Sequence, residues 1–213
     1  MQSLNRLNSD RPRKEYDFYE TPYELCKASL QRLKNEGLVY PRLAIDAGAG
    51  RGVWGMAFRD VYGLQHSELI GIELQPNFPD ASGAFDLWLG DTNYFDVDRE
   101  DVFGNVIGQE LIFGNPPYSL AEEFVRKSLE LVDDGGYVFF LLRLAFLESK
   151  KRHFGLYADH PLRKVYVLTR RPSFFSTKEG SKTVDALAYG MFFWQKGWSG
   201  TTELSHLYWS YNK

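Results

Sequence analysis

The stretch that decides the fold is RLAIDAGAGRG, Arg42–Gly52. An apolar run is followed by an acid, Asp46, and then by three glycines at alternate positions. This pattern predicts a buried β-strand that turns sharply into a helix, because glycine adopts turn conformations that other residues avoid. The helix is predicted over Val53–Tyr62. A strand–turn–helix unit of this kind indicates a parallel α/β sheet.

Six more apolar segments alternate with helical patterns along the chain. The predicted strands are Glu68–Leu74, Phe85–Asp91, Leu111–Asn115, Tyr137–Leu142, Lys164–Thr169 and Ala186–Trp194. Three more helices are predicted: one that opens with a capping box over Thr21–Glu24 and ends at Gly37, one over Ser119–Val132, and a basic one over Ala145–Tyr157. The alternation predicts an α/β fold with a doubly wound, mostly parallel, seven-stranded, Rossmann-like sheet.

Length and composition fit one globular domain. The chain has 213 residues, of which 44% are hydrophobic and 25% charged, and we expect a single domain over residues 1–213 with a polar, flexible arm over 1–16. No segment approaches the roughly 20 apolar residues of a membrane helix. A single cysteine, Cys26, and no signal-peptide pattern predict a cytoplasmic protein, in a bacterium or a phage-infected cell. The four histidines have no metal-ligand spacing, so no metal site is expected.

Positive charge is concentrated in one segment. Between Arg143 and Lys182 there are ten Lys/Arg and three Asp/Glu, a local excess of seven positive charges in a chain of net charge −3. Such a segment on an acidic protein indicates a polyanionic partner, with nucleic acid as the first candidate. A solvated helix and strand with charged flanks would give the same composition.

Acidic residues follow or end the first three predicted strands, at Asp46, Glu73 and Asp91. Ligands of such sheets bind beyond the carboxyl ends of the strands, so the three acids should surround one crevice. Asp46 would disfavour a pyrophosphate and suit an ammonium group, Glu73 suits the two hydroxyls of a ribose, and Asp91 suits the amine of an adenine. Together they predict S-adenosylmethionine as the cofactor, although each acid alone also fits a helix cap or a solvated rim.

The fourth strand ends in a rigid corner, LIFGNPPYSL, Leu111–Leu120. Its two prolines fix two φ angles and remove two backbone donors. The Asn115 side-chain oxygen and the Pro116 carbonyl can accept both N–H bonds of a planar amine such as adenine N6, and Tyr118 offers a face for the base. This is catalysis by positioning and preorganised dipoles. A loop that only caps the next helix explains the prolines but not Asn115 and Tyr118.

These motifs resemble one family. DAGAGRG, Glu73, Gly90-Asp91 and Asn115-Pro116-Pro117-Tyr118 are similar to the class I S-adenosylmethionine-dependent N6-adenine DNA methyltransferases, and the tail from Arg170 to Gly197 resembles small phage and prophage members. The FYETP segment resembles the part that closes over the methionine moiety. The resemblance implies catalytic roles for Asn115, Pro116, Pro117 and Tyr118. It implies cofactor contacts from Tyr19, Thr21, Pro22, Asp46, Ala47, Gly48, Gly50, Glu73, Leu74, Asp91 and Asn115.

The resemblance also indicates where the substrate binds. RRPSFF is similar to a later family motif in which an aromatic residue stacks on the extruded base, with Phe174 the first candidate and Phe175 the next. The implied substrate contacts are Tyr118, Phe174, Phe175, Arg143, Arg170, Arg171 and Lys178. Only 95 residues follow Tyr118, too few for the separate target-recognition domain that site-specific enzymes usually carry, which favours weak sequence selectivity, single strands or a specificity partner.

Three other functions fit the same residues. An RNA adenine is a planar amine like a DNA adenine, and a glutamine side-chain amide in a protein is also planar and conjugated. From a different class, the chain could be a non-catalytic module that binds nucleic acid or a larger methyltransferase. The intact Asn115–Tyr118 motif argues against a non-catalytic module.

Overall fold

The computed structural model describes residues 20–37, 40–63, 67–75, 83–104, 110–176, 182–183 and 186–211. The strands are β1 Leu43–Ala47, β2 Glu68–Ile72, β3 Leu87–Leu89, β4 Glu110–Gly114, β5 Tyr137–Arg143, β6 Lys164–Leu168, β7 Phe175–Ser176, β8 Lys182–Thr183, β9 Tyr189–Gln195 and β10 Glu203–Leu207. The α-helices are α1 Tyr23–Asn35, α2 Val53–Tyr62, α3 Arg99–Val102, α4 Ala121–Leu131, α5 Lys150–Phe154 and α6 Leu156–Asp159. Three 3₁₀ turns cover Tyr94–Asp96, Tyr118–Leu120 and Leu144–Leu147.

Eight strands form one sheet in the order β10-β6-β9-β5-β4-β1-β2-β3. Every pairing is parallel except those of β9, which runs antiparallel to both β5 and β6. Strand order reverses at β1, which lies between β2 and β4. This confirms the predicted doubly wound α/β sheet. It also places the carboxyl ends of β1, β2 and β4 next to one another, where ligands of such sheets bind.

The central strands are buried because helices cover both faces of the sheet. All five residues of β1 and all five of β4 are buried, which is the burial that parallel strands need. One core packs α4 against the sheet and buries its apolar face, Ala121, Phe124, Val125 and Leu129, together with Val132. A second core on the opposite face packs α1 and α2.

The helix predicted over Val53–Tyr62 is confirmed with those bounds. The first helix ends near Gly37, whose φ of +66° is a conformation that favours glycine. The predicted capping box at Thr21 is wrong, because Pro22 is the N-cap and no side chain caps the helix. Thr21 Oγ1 instead accepts a hydrogen bond of 3.2 Å from Trp54 Nε1. Thr21 therefore ties the start of α1 to the start of α2.

Three further details differ from the predictions. The main sheet has eight strands and not seven, because Glu203–Leu207 pairs with β6 and forms the edge of the sheet. Its mostly exposed residues give no apolar run from which a strand is predicted. The predicted basic helix over Ala145–Tyr157 is split into a 3₁₀ turn, α5 and α6, since Gly155 leaves the helical region with φ −118° and ψ −97°. The third strand spans only Leu87–Leu89.

Candidate active site

The glycine turn after β1 has the backbone that its sequence requires. Gly48, Gly50 and Gly52 have φ values of +74°, +57° and +78°, which residues with a Cβ rarely adopt. The amides of Gly48 and Ala49 both donate to the Ile72 carbonyl at 3.0 Å. The turn is thus fixed to the end of β2, with its backbone open to close approach by a ligand.

Glu73 follows β2 and contacts the glycine turn; Gly48, Gly50 and Glu73 together are called the cradle below. The side chain is 6% exposed, its Oε2 accepts a hydrogen bond of 2.7 Å from the Gly50 amide, and its Oε1 accepts one of 2.8 Å from the Gln75 amide. A carboxylate has about four lone-pair sites, so Glu73 keeps acceptor capacity beyond these two bonds. It both holds the glycine turn and can receive hydroxyl donors of a ligand.

Asp46 is fully buried at the carboxyl end of β1. Neither of its oxygens has a hydrogen-bond partner of normal geometry among the described residues. Burial raises the pKa of Asp46 well above its usual range, the nearby Glu73 carboxylate raises it further, and the Gly55 amide opposes the shift only in part. A buried carboxyl left in this state costs folding free energy, which points to a role other than stability.

We therefore expect Asp46→Asn to stabilise the protein at pH 7–8 by about 1–3 kcal/mol. A carboxyl whose pKa is raised on folding destabilises the native state once it ionises, and the cost disappears as pH falls below its unfolded-state pKa of about 4. The difference between variant and wild type should accordingly shrink as pH is lowered from 8 to 4. Urea unfolding at several pH values measures it, and an Asp46→Asn protein that is less stable at pH 8 would contradict the prediction.

The corner after β4 brings the second motif to the same place. Gly114 has φ +141°, and a Cβ there would lie 3.0 Å from Asp46 Oδ1 and 3.1 Å from the Ala47 carbonyl oxygen. Glycine thus permits β4 to approach β1 closely, which sets Asn115 beside the glycine turn. Pro116 is buried, and Pro117 precedes the 3₁₀ turn that starts at Tyr118.

A cavity of about 380 Å³ connects the two motifs. Its volume falls in the range of about 300–1,000 Å³ found for small-molecule sites. The described residues that line it come from the glycine turn, the ends of β2 and β4, the segment after β3 and the starts of α1, α2 and α4. They are Glu20, Thr21, Gly48, Ala49, Gly50, Arg51, Val53, Trp54, Ile72, Glu73, Leu74, Gln75, Thr92, Asn93, Tyr94, Phe95, Asn115, Pro117, Leu120 and Phe124.

Seven of the predicted site residues line this cavity: Thr21, Gly48, Gly50, Glu73, Leu74, Asn115 and Pro117. Pro22, Asp46, Ala47, Asp91, Pro116 and Tyr118 do not line it. Asp91 is exposed at a turn, with φ +53°. Tyr19 and Lys178 lie outside the described residues, as does the side chain of Phe175.

The wall next to Asp91 is formed by residues that the sequence analysis did not identify. Thr92, Asn93, Tyr94 and Phe95 line the cavity in its place. Asn93 Oδ1 accepts a hydrogen bond of 3.3 Å from the Phe95 amide and thereby caps the 3₁₀ turn over Tyr94–Asp96. Asn93, like Asp91, is a polar residue close to the end of the predicted third strand. This position was the sequence feature that could have indicated Asn93 as a cavity residue.

Three residues of the predicted substrate side, Tyr118, Phe174 and Arg143, pack together at the corner with Tyr189, which was not predicted. The Tyr118 ring centroid lies 5.6 Å from that of Tyr189 and 6.3 Å from that of Phe174. The Arg143 guanidinium carbon lies 4.7 Å from the Tyr118 ring centroid. Burial raises the pKa of Tyr118 well above its usual range, with smaller influences from Tyr189, Arg143 and Asn115. Arg143 and Phe174 thus both contact Tyr118.

The two arginines of the RRPSFF segment are exposed. Arg170 lies against the C-terminal segment, with its guanidinium carbon 4.7 Å from the Tyr211 ring centroid and 5.8 Å from that of Trp209. Trp209 Nε1 donates to the Arg170 carbonyl at 2.9 Å. The segment that follows β6 is therefore held by the residues that follow β10.

The described part of the chain contains no group of three or more His, Cys, Asp or Glu that could hold a metal ion. Of the helices described above, none has the length and apolar character that crossing a lipid bilayer demands.

Together, the sheet order, the single antiparallel strand and the glycine turn define the class I S-adenosylmethionine-dependent methyltransferase fold. Among solved structures, the chain is similar to the methyltransferase subunit of a type I restriction-modification system from Streptococcus thermophilus. The TM-score is 0.65 at 15% identity, over 85% of this chain and 45% of the subunit. The chain thus spans less than half of that subunit.

Two other solved structures have the same fold. A putative class I S-adenosylmethionine-dependent methyltransferase from Listeria monocytogenes gives a TM-score of 0.65 at 10% identity, over 91% of this chain and 67% of that one. A putative RNA methyltransferase from Pyrococcus horikoshii gives 0.59 at 17% identity, over 88% and 90%. No family model and no curated protein matches the sequence.

Proposed function

We propose that this chain is an S-adenosylmethionine-dependent methyltransferase that acts on the N6 amino group of adenine in DNA. One observation carries the proposal: the glycine turn with Glu73 and the corner with Asn115 and Pro117 line the same cavity. A cofactor cradle and an amine acceptor that open into one space are what a direct methyl transfer requires, because the reacting atoms must lie about 3–3.5 Å apart.

The residues of the cradle fit the cofactor. Gly48 and Gly50 leave room for close approach, and Glu73 can accept the two ribose hydroxyls. An ammonium group bound above the turn would favour the ionised form of the buried Asp46 carboxyl beneath it. Leu74 and Phe95 provide apolar walls for an adenine ring. When bound, S-adenosylmethionine supplies an electrophilic methyl group on a sulfonium.

The corner would act on the target amine. The Asn115 side-chain oxygen and the Pro116 carbonyl accept the two N–H bonds, which draws the nitrogen towards tetrahedral geometry and frees its lone pair. Because Pro116 and Pro117 hold the backbone rigid, these acceptors need little reorganisation during the reaction. Tyr118 stacks on the base, and the proton leaves to solvent after the transfer.

Charge and aromatic residues favour nucleic acid as the substrate. Lys150, Lys151, Arg170 and Arg171 are exposed on segments that follow β5 and β6, at the same edge of the sheet as the cavity. Cationic side chains there suit a phosphate backbone, and Phe174 suits an unpaired or extruded base. The Streptococcus thermophilus structure is a subunit of a type I restriction-modification system, which supports DNA and a separate specificity partner.

RNA is the second candidate substrate, supported by a different comparison. The putative RNA methyltransferase from Pyrococcus horikoshii is covered over 90% of its length, so a chain of this size can match an enzyme of that description almost throughout. A glutamine amide as the substrate has no such support, and the exposed cations at the same edge of the sheet as the cavity argue against a protein substrate.

A methyl-transfer assay with radiolabelled S-adenosylmethionine on pools of DNA, RNA and protein tests the proposal. Nucleoside analysis of labelled DNA should give N6-methyladenine. Label in RNA alone would support the second candidate, whereas label only in protein, or no label with cofactor bound, would overturn the assignment to nucleic acid.

A further inference from the structure

Arg143 lies where the target base is expected. It is the last residue of β5, the strand next to β4, so it is adjacent in the sheet to the Asn115 corner. Its guanidinium carbon lies 4.7 Å from the Tyr118 ring centroid. A guanidinium is planar and delocalised and stacks on aromatic faces much as a base does. One face of Tyr118 is therefore already covered by a flat group.

The other aromatic neighbours leave no gap for a base. Tyr118 and Phe174 have ring centroids 6.3 Å apart and planes inclined at 65°. A base held between two rings needs them parallel and roughly 7–8 Å apart, since each carbon–carbon contact takes about 3.5–4.0 Å. Tyr189 approaches Tyr118 at 5.6 Å with a tilt of 47°. Tyr118 does not line the cavity. A base can therefore stack on Tyr118 only if it displaces one of the side chains that pack against this ring.

Tyr189 cannot readily move, because it is 1% exposed in the middle of a core and its backbone pairs with Arg143 in the β5–β9 ladder. Phe174 is 5% exposed in the same core. The Arg143 side chain is half-buried, lies at a strand end, and is long and flexible. Of these three neighbours, Arg143 is the one that can leave Tyr118 with the least disturbance of the core.

We propose that Arg143 is a positioning residue that occupies the stacking face of Tyr118 until the target base replaces it and then binds a phosphate of the substrate strand. The inference rests on the proposed function. A polyanionic strand offers the guanidinium a charged partner when it leaves the ring, so an incoming strand can open the face. A neutral, isolated base has no phosphate that could bind the guanidinium. Arg143 therefore selects for bases carried on a phosphate backbone.

The test uses single-stranded DNA of 24 nucleotides with 2-aminopurine at the target position, and binding is followed by its fluorescence and by anisotropy. In Arg143→Ala the ratio of stacked to unstacked 2-aminopurine at saturation should rise about three- to tenfold, because the competing cation–π contact is gone. The slope of log K against log salt should become shallower by about 0.7, the value of one phosphate contact on a single strand. Arg143→Lys should keep the slope, since it keeps the charge, and still raise the stacked fraction.

Arg163 provides a matched control. Its guanidinium carbon lies 4.9 Å from the Trp198 ring centroid, but it precedes β6, at the opposite edge of the sheet from the cavity. Arg163→Ala should change neither readout. A lower stacked fraction in Arg143→Ala would mean that Arg143 supports Tyr118 instead of covering it, and an unchanged salt slope would remove the phosphate role; either result overturns the proposal. Wild-type protein that neither stacks 2-aminopurine nor methylates adenine would overturn the proposed function and this inference together.

Discussion

Asn115→Ala should lower kcat by about 100- to 1,000-fold and leave the Kd for S-adenosylmethionine within about threefold of wild type. Removing one preorganised polar group from an active site typically has that effect on turnover. Asn115 lies where the end of β4 meets the cavity, and its oxygen is one of the two acceptors proposed for the target amine. The cradle that would hold the cofactor is built from other residues, Gly48, Gly50 and Glu73. Single-turnover methyl transfer and calorimetry with the cofactor measure the two quantities.

Two further variants make this result specific. Asn115→Asp keeps an acceptor oxygen at the same place but adds a charge, so it should retain part of the activity and alter its pH dependence. Asn35→Ala removes an amide at the exposed end of α1 and should leave turnover unchanged. Turnover of Asn115→Ala close to that of wild type would remove Asn115 from its catalytic role, whereas loss of cofactor binding in that variant would assign it to the cradle.

Much of the fold can be predicted from the sequence because burial imposes a pattern on it. The strands β1, β2, β4 and β5 are mostly apolar and mostly buried, and the glycines after β1 adopt the positive φ values that their spacing predicts. Edge strands carry no such pattern. Glu203–Leu207 is mostly exposed and polar, so its place beside β6 depends on pairing with a distant segment and not on its own composition.

The site is predicted less completely, for a related reason. Glycine turns and proline corners are local features, and both occur where the sequence indicates. The cavity wall after β3 depends on how the chain returns towards the glycine turn. Asp91 is exposed while Asn93 lines the cavity, a difference of two positions that no local pattern distinguishes. The packing of Arg143 on Tyr118 is likewise a contact between separate segments, the end of β5 and the 3₁₀ turn after β4, and it is visible only in three dimensions.

Glu73→Ala should raise the Kd for S-adenosylmethionine by about 100-fold, the second large effect that we expect. Hydrogen bonds to a charged group contribute about 1.5–3 kcal/mol each, and a tenfold change in affinity corresponds to about 1.4 kcal/mol. The variant would lose the acceptors for the ribose and also the bond of 2.7 Å from the Gly50 amide that fixes the glycine turn. Calorimetry measures the affinity, and thermal unfolding without cofactor shows whether the variant is folded.

Glu73→Gln separates these two contributions. Two backbone donors, from Gly50 and Gln75, face the carboxylate, and a glutamine amide can accept from only one of them because its nitrogen is a donor. We therefore expect Gln to weaken cofactor binding by at least tenfold even though its shape is the same. Glu68→Ala, at the exposed amino end of β2, the strand that Glu73 follows, should leave the affinity within twofold. A Glu73→Gln protein that binds the cofactor as tightly as wild type would show that charge and acceptor count at this position do not matter, and it would remove Glu73 from the proposed cofactor contacts.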